Sequence, residues 1–326
     1  MSVIYGKPVN VGGGGVNETL PAQVTNFRAL QVSGAKKVTV SWTNPSSYFS
    51  GIVVMKKVGS APTGVKDGTQ VYKGTGTSFT DSDVNYGTTY YYRAFPYNSK
   101  GQYQTAYMVA NITPASEIEL GALTEGTLIK INESNVPTLF YLAKRNYEVD
   151  FNRAGRCLMA RRYVFENMKW STDASNQYDV SAVDAFLSVD YINRFSARTR
   201  SLIGTTTIKY SPGFHVTSVR QLDRSAFLLS ATELGGVFSD LNVEGSELPI
   251  ASILVKGSDS HGVYSSHWTR SPRQHHTTNV WEANPSGGFS YAAADTVWPI
   301  RPSFTLPSTA RVSGSPNSDG SYTLIE

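Results

Sequence analysis

The stretch KVTVSWT, residues 37–43, decides the fold class of the first third of the chain. In it, Val38, Val40 and Trp42 alternate with polar residues, and alternate side chains of a β-strand point to opposite faces. The three apolar side chains therefore share one face of a strand. The pattern predicts that Trp42 lies in a hydrophobic core.

Seven short segments of this kind follow one another between Pro21 and Pro114, and turn residues separate them. Seven strands in about 95 residues is the spacing of a β-sandwich. The predicted strands are 24–32, 37–43, 51–58, 70–73, 77–81, 88–98 and 103–112.

The segment VNYGTTY, residues 84–90, resembles the turn before strand F of fibronectin type III domains, and Pro21 and Trp42 stand where that family has them. The resemblance covers residues 21–114 and implies that Tyr90 is the tyrosine of the corner. No Arg-Gly-Asp tripeptide is present, so the resemblance implies a spacer or adaptor rather than a receptor ligand.

Composition and charge narrow the class of protein. With 326 residues, 40% hydrophobic, 17% charged and 12% aromatic, the chain is predicted to be globular and mainly β, with a flexible arm (1–20), a sandwich (21–114) and an α+β domain (115–326). The net charge is only +4 and the basic residues are scattered, which argues against nucleic-acid binding. The single cysteine, Cys157, is expected to be a buried, inert thiol.

The N-terminal arm contains four consecutive glycines, Gly12 to Gly15, and lacks the pattern of a signal peptide. It is interpreted as an assembly peptide or a disordered tail. No apolar window approaches the length of a membrane span, so membrane insertion is not expected.

Residues 120–131, 138–143 and 156–164 are predicted strands of the second domain, and residues 178–205 are its one helical region. Ser181 is the predicted N-cap of that region, and a second helical turn is expected from Ser196 to a left-handed cap at Gly204.

Candidate catalytic and metal-binding residues give no convincing site. The acidic pairs Asp179/Asp184 and Glu244/Glu247 are interpreted as solvated charges, and no nucleophile elbow or phosphate loop is present. The five histidines are taken as exposed or ligand-contacting, with His275 and His276 on an extended strand. They are His215, His261, His267, His275 and His276. No enzyme activity, cofactor or metal is predicted.

Two motifs in the second domain, HWTRSP (267–272) and IRPSF (300–304), resemble those of an uncharacterised domain found in gut-bacterial and phage proteins. The helix near Ser181 and the segment AFLLS (226–230) agree, and Thr269 and Ile300 depart from the usual residues. The resemblance covers about 117–326 and implies a C-type lectin-like organisation. In some phages, similar domains carry a diversified surface segment.

Residues 273–296, between the two motifs, are the predicted binding segment, irregular in structure and rich in aromatic and amide side chains as antibody paratopes are. The alternative is an ordinary exposed loop with one or two core aromatics. Trp281 is expected to be a contact residue, whereas Trp268 and Trp298 are expected in the core. The candidate ligand-binding residues are His275, His276, Asn279, Trp281, Asn284, Phe289 and Tyr291.

These resemblances lead us to expect a phage virion protein, such as a tail or head fibre, that binds a glycan or protein receptor on the host cell. The arm would attach to other virion proteins, and a homotrimer would provide avidity. Two alternatives stay open: a cell-wall hydrolase with a sandwich spacer, and a purely structural capsid or tail decoration protein.

Overall fold

Seven antiparallel strands form the first of two units, which ends at Glu117. The computed structural model describes residues 19–148 and 155–326, so the predicted arm lies almost wholly outside the described residues. The strands are β1 Thr25–Gln31, β2 Val38–Thr43, β3 Gly51–Val58, β4 Thr69–Gly74, β5 Ser78–Asp81, β6 Tyr90–Tyr97 and β7 Val109–Ile112. One sheet has the order β1-β2-β5 and the other β4-β3-β6-β7.

Trp42 lies in the core between these sheets, as predicted, and is 5% exposed. Its ring packs edge-on against Tyr72 at 5.2 Å. The hydroxyl of Tyr90 accepts a hydrogen bond from the backbone N–H of Asn85 at 2.9 Å, which is the tyrosine-corner contact. With three strands in one sheet and four in the other, the first unit is a fibronectin type III-like sandwich, and that prediction is confirmed.

The second unit runs from Ile118 to Glu326 and is also mainly β. The strands are β8 Glu117–Glu119, β9 Leu128–Glu133, β10 Val136–Lys144, β11 Arg156–Arg161, β12 Phe165–Lys169, β13 Thr206–Tyr210, β14 Arg220–Arg224, β15 Ala226–Leu228, β16 His267–Pro272, β17 Asn279–Ala283, β18 Phe289–Ala293, β19 Val297–Ile300, β20 Pro302–Pro307, β21 Arg311–Ser313 and β22 Tyr322–Thr323. The central sheet has the order β15-β20-β11-β10-β9-β22, and β16-β17-β18 form a separate three-stranded sheet. The described residues also contain three two-stranded pairs: β12-β19, β13-β14 and β21-β8.

The core of the second unit lies on the central strands β11 and β20. Cys157 is fully buried there, and burial raises the pKa of its thiol to about 11, so the thiol is protonated and unreactive. The predicted strand 120–131 is wrong in its first half, because Leu120–Ala122 form a 3-10 turn. No helix in the described residues is long and apolar enough to cross a membrane.

The helical region is more broken than the sequence predicts. It consists of α1 Ala182–Phe186, a π turn Leu187–Tyr191, 3-10 turns Tyr178–Val180 and Ile192–Arg194, and α2 Ala197–Leu202; α3, Ala251–Leu254, was not predicted. The Ser181 hydroxyl accepts from the Asp184 N–H at 3.1 Å, and Ser196 caps α2, as expected. The prediction of a left-handed cap at Gly204 is wrong, because α2 ends at Leu202 and is followed by extended backbone at Ile203.

Candidate binding surface

The HWTRSP motif forms β16, and its arginine lies at the centre of a buried charge cluster. Arg270 is fully buried, and its Nη1 donates to Glu233 Oε2 and to the Leu228 carbonyl, both at 2.7 Å. Its Nε and Nη2 donate to the carbonyls of Lys209 at 2.9 Å and Glu244 at 3.1 Å. One side chain therefore holds several separate segments of the chain together.

Both carboxylates around Arg270 are themselves fully hydrogen-bonded within the cluster. Glu233 accepts from the Tyr147 hydroxyl and from the Ser230 N–H at 2.9 Å. Glu244 accepts from the Ser211 N–H and the Ser271 hydroxyl. We call these residues with Arg270 the Arg270 cluster. Its geometry is that of a structural clamp, since buried ions are retained when their hydrogen bonds are satisfied.

The electrostatics of the Arg270 cluster depend on burial. Burial raises the pKa of Glu244 to about 7, although Arg270 and the Ser271 hydroxyl act in the opposite direction. Burial by itself lowers the pKa of Arg270, but Glu233 and Tyr147 outweigh it and hold that pKa above its usual range. The prediction that Glu244 and Asp184 are solvated charges is wrong. Asp184 is also buried and is paired with Arg224 at 2.7 Å.

The rest of the motif is also structural. Trp268 is 1% exposed, as predicted, and its Nε1 donates to the Met168 carbonyl at 3.1 Å. The hydroxyl of Thr269, where the resembled domain has Leu, donates to the Trp281 carbonyl at 2.6 Å. Arg301, in the second motif, is 3% exposed and donates to the carbonyls of Leu254, Arg162 (2.8 Å) and Lys256 (3.2 Å).

The predicted binding segment 273–296 is regular rather than irregular. It contains β17 and β18, joined by a turn in which Asn284 Oδ1 accepts from the Gly288 N–H at 2.9 Å. Asn284 is therefore a turn residue. The residues Asn279 to Ala283 do not alternate strictly, because Val280 and Trp281 are adjacent and both buried, so the local pattern gives no clear strand signal.

Trp281 does not face solvent, which corrects the sequence-based expectation. It is 6% exposed because Phe238 covers it, with ring centroids 4.5 Å apart and planes 13° apart. Phe289 is half-buried and also packs on Phe238, at 5.5 Å. Trp298, expected in the core, is half-buried and packs against the core of the second unit. Tyr291, by contrast, is 45% exposed, and its ring centroid lies 5.8 Å from that of Trp281.

Arg273 continues this stack of rings. Its guanidinium lies 3.7 Å from the centre of the Tyr291 ring, and its Nε donates to Asp240 Oδ2 at 2.6 Å. We call Phe238, Trp281, Tyr291 and Arg273 the ring ladder. Sequence reasoning missed Phe238, Asp240 and the role of Arg273; the exposed apolar pair in GGVFSD, residues 235–240, was the available signal.

Two asparagines tie the neighbouring loops together. Asn176 donates to the His276 carbonyl at 2.9 Å and accepts from the Phe214 N–H at 2.9 Å. Asn242 donates to the Ser211 hydroxyl at 2.7 Å and accepts from the Gln274 side chain. Segments 211–216, 237–243 and 273–278, with Tyr291, therefore form one connected set, which we call the loop surface.

Four non-glycine residues in or next to this region have left-handed backbone conformations. Phe214, His215, His275 and Ala174 have φ between 52° and 67°, a conformation that costs non-glycine residues free energy and needs surrounding contacts to hold it. Gln274 and His275 lie in a turn and His276 follows it in irregular backbone, so neither histidine lies on an extended strand as expected. His275 is exposed, and His276 and Asn279 are half-buried.

The remaining histidines do not form a metal site. Within residues 19–148 and 155–326, no three His, Cys, Asp or Glu side chains come together as metal ligands. His267, expected to be exposed, is 1% exposed, and burial holds its pKa well below the usual range, so the ring is neutral. His215 and His261 are exposed.

Comparisons with known proteins place the second unit in context. Residues 154–308, less than half of the chain, match the family described as a domain of unknown function, DUF6273. The matched range includes both arginine motifs and the ring ladder. No curated protein matches the chain.

Several of the solved structures similar to this chain match about a third of it. A Fn3-like protein from Clostridium thermocellum is 21% identical over 29% of this chain and 96% of its own, with a TM-score of 0.24. The sixth fibronectin type III domain of a human protein is 19% identical and covers 32% of this chain and 95% of its own, with a TM-score of 0.23. The Clostridium perfringens spore cortex lytic enzyme SleM is 16% identical over 29% of each chain, with a TM-score of 0.24. Likenesses this low carry no functional inference.

Proposed function

We propose that the protein is a non-enzymatic binding protein of a phage virion, whose second unit contacts the host through the loop surface. The observation that carries the proposal is the ring ladder. Half-exposed Phe238 and Tyr291 rest on a buried tryptophan, and Arg273 is held in place beside them. Aromatic residues and arginine are the side chains most enriched where proteins bind partners.

Rigidity of the loop surface supports this role. The Asn176 and Asn242 contacts fix the loops before any partner arrives, and the Arg270 cluster anchors Ser211 and Glu244 beneath them. Binding therefore requires little further ordering of loops, which is a large part of the free-energy cost of association. The rigid framework also suits a surface whose exposed side chains vary while the fold is kept.

In the finer form of the proposal, the second unit is an α+β domain organised like the C-type lectin-like fold. Residues 1–20 attach it to other virion proteins, and three copies assemble around a fibre axis. Repetition of a weak site on a symmetric particle gives avidity without new contacts. The fibronectin type III-like unit is then a spacer between the attachment point and the binding domain.

Binding is favoured over cleavage because the two neighbouring carboxylates of the Arg270 cluster, Glu233 and Glu244, are not accessible to a substrate. Glu233 and Glu244 are both at least 98% buried, and the cavity beside Glu233 has a volume of only about 20 Å³. That space holds about one water molecule and no sugar or peptide. A hydrolase of the cell wall needs an acid and a base that reach the scissile bond.

The test is host adsorption of particles that carry Phe238→Ala with Tyr291→Ala. We expect at least a tenfold loss of adsorption, about 1.4 kcal/mol, because one aromatic contact can supply that amount. The control is Val180→Ala with Val189→Ala, two exposed apolar residues of the same unit outside the loop surface. Normal adsorption of the ring variant, or an equal loss in the control, would contradict the proposal.

A second experiment tests the arm. Deleting residues 1–20 should abolish incorporation into particles and leave thermal unfolding of the rest unchanged, because the described core begins at Val24. Incorporation is measured by gel analysis of purified particles. Normal incorporation of the truncated chain would exclude an attachment role for the arm.

A further inference from the structure

A second surface of the same unit, outside the loop surface, is a groove of about 330 Å³ below the hairpin 258–264. The volume is within the range of small-molecule sites. Three cationic side chains, Arg162, Lys256 and Arg301, line it, and none of its lining residues is acidic. The rest of the lining consists of tyrosine, serine and isoleucine side chains: Tyr141, Tyr163, Ser252, Ile253, Ser258 and Tyr264.

Arg301 is the buried member of the lining, and its positive charge is not neutralised. Its nitrogens Nη1 and Nη2 reach backbone carbonyls only, and its Nε has no hydrogen-bond partner among the described residues. Among the described residues, the only charged or ionisable groups that shift its pKa are Tyr141 and Arg161, and no carboxylate is one of them. A buried charge without a counter-ion is costly, so an anion that enters the groove gains from it. Burial lowers the pKa of Arg301 to about 10, and the side chain still carries its charge at neutral pH.

At the rim of the groove lie the cationic side chains of Arg162 and Lys256, and Tyr264 and Ile253 form an apolar wall. The guanidinium of Arg162 stacks at 5.0 Å from the centre of the Tyr163 ring, which limits the directions it can take. Tyr264 is 59% exposed and Ile253 is 45% exposed. The hairpin 258–264 is fixed at its base, because Ser258 forms a β-bridge with Tyr264. The Ser258 carbonyl also accepts a hydrogen bond from the Val164 N–H at 2.9 Å.

We propose that this groove binds a carboxylate-bearing saccharide. The carboxylate would be held by Arg162 and Lys256 over the positive charge of Arg301, and the C–H face of the sugar ring would pack on Tyr264 and Ile253. Guanidinium groups suit carboxylates because they can donate two parallel hydrogen bonds. The site depends neither on the virion nor on the ring ladder, so it goes beyond the proposed function.

The experiment is calorimetric titration of the full chain with trigalacturonate at low salt, with galactotriose as the neutral match and inorganic phosphate as the simple anion. We expect binding of trigalacturonate that weakens with added salt, and none of galactotriose. Arg162→Gln with Lys256→Gln should lower the affinity at least tenfold, and Tyr264→Ala should also lower it. Neither change removes a contact that the core needs.

The control is Lys169→Gln, an exposed lysine outside the groove, which should bind as the wild type does. The proposal is overturned if the wild type does not bind trigalacturonate, or if the Arg162/Lys256 variant binds it with the same affinity as the wild type. Equal binding of galactotriose or phosphate overturns its saccharide-and-carboxylate form. The variant Phe238→Ala with Tyr291→Ala should keep full trigalacturonate affinity, so loss of adsorption in that variant and loss of this site are measured separately.

Discussion

Arg270 and Arg301 belong to the two sequence motifs and are both buried, yet their surroundings differ in charge. Arg270 has Glu233 at 2.7 Å and Glu244 beside it, and its pKa is raised. Among the described residues, Arg301 donates only to backbone carbonyls, and burial lowers its pKa to about 10. The first arginine is neutralised inside the protein and serves stability. The second leaves a positive charge beside a groove, where a ligand can use it.

The largest expected effect is that of Arg270→Met. It leaves Glu233 and Glu244 buried without their cation, so the free energy of unfolding should fall by about 3–5 kcal/mol. Urea denaturation followed by tryptophan fluorescence measures this, because four of the five tryptophans lie in the second unit. Adding Glu244→Gln to Arg270→Met should restore part of the loss. A loss below about 1 kcal/mol in the single variant would show that the cluster is not a clamp.

Glu244→Gln sharpens the comparison through its pH dependence. The folded pKa of Glu244 is about 7 against an ordinary value of 4.5, so between these pH values the folded chain keeps a proton that the unfolded chain has released. The stability this gives is fully present below pH 4.5 and is lost as the pH rises through 7. Relative to Glu244→Gln, the wild type should therefore lose on the order of 3 kcal/mol over this window. Parallel pH curves for the two proteins would contradict the assignment.

The smallest effect of the three is expected for Arg301→Met. Three carbonyls lose a donor but no buried carboxylate loses its cation, so the loss in unfolding free energy should be roughly 1–3 kcal/mol. The same urea experiment measures it beside Arg270→Met. If Arg301→Met destabilises as much as Arg270→Met does, the difference in charge between the two sites does not govern their contribution.

Local patterns predicted those parts of the fold that neighbouring residues determine. Alternation at Val38, Val40 and Trp42 predicts a strand with a buried face, and the turn before Tyr90 predicts the corner contact that the structure has. The caps at Ser181 and Ser196 were also predicted, because a hydroxyl three residues before a free N–H is a short-range feature. The binding segment is less well predicted, since its strand β17 has adjacent buried residues in place of strict alternation.

The sequence by itself determined the fibronectin type III-like class of the first unit, the mainly β character of the chain and the core positions of Trp42 and Trp268, because strand alternation and aromatic size act over a few residues. Only the tertiary structure decided the partners of each charge and ring. Glu233, Glu244 and Arg270 are up to 37 residues apart, and Phe238 and Trp281 are 43 apart, yet they touch. Whether a carboxylate is solvated or buried, and whether a tryptophan is covered, depends on which distant segment folds over it, and no local pattern specifies that.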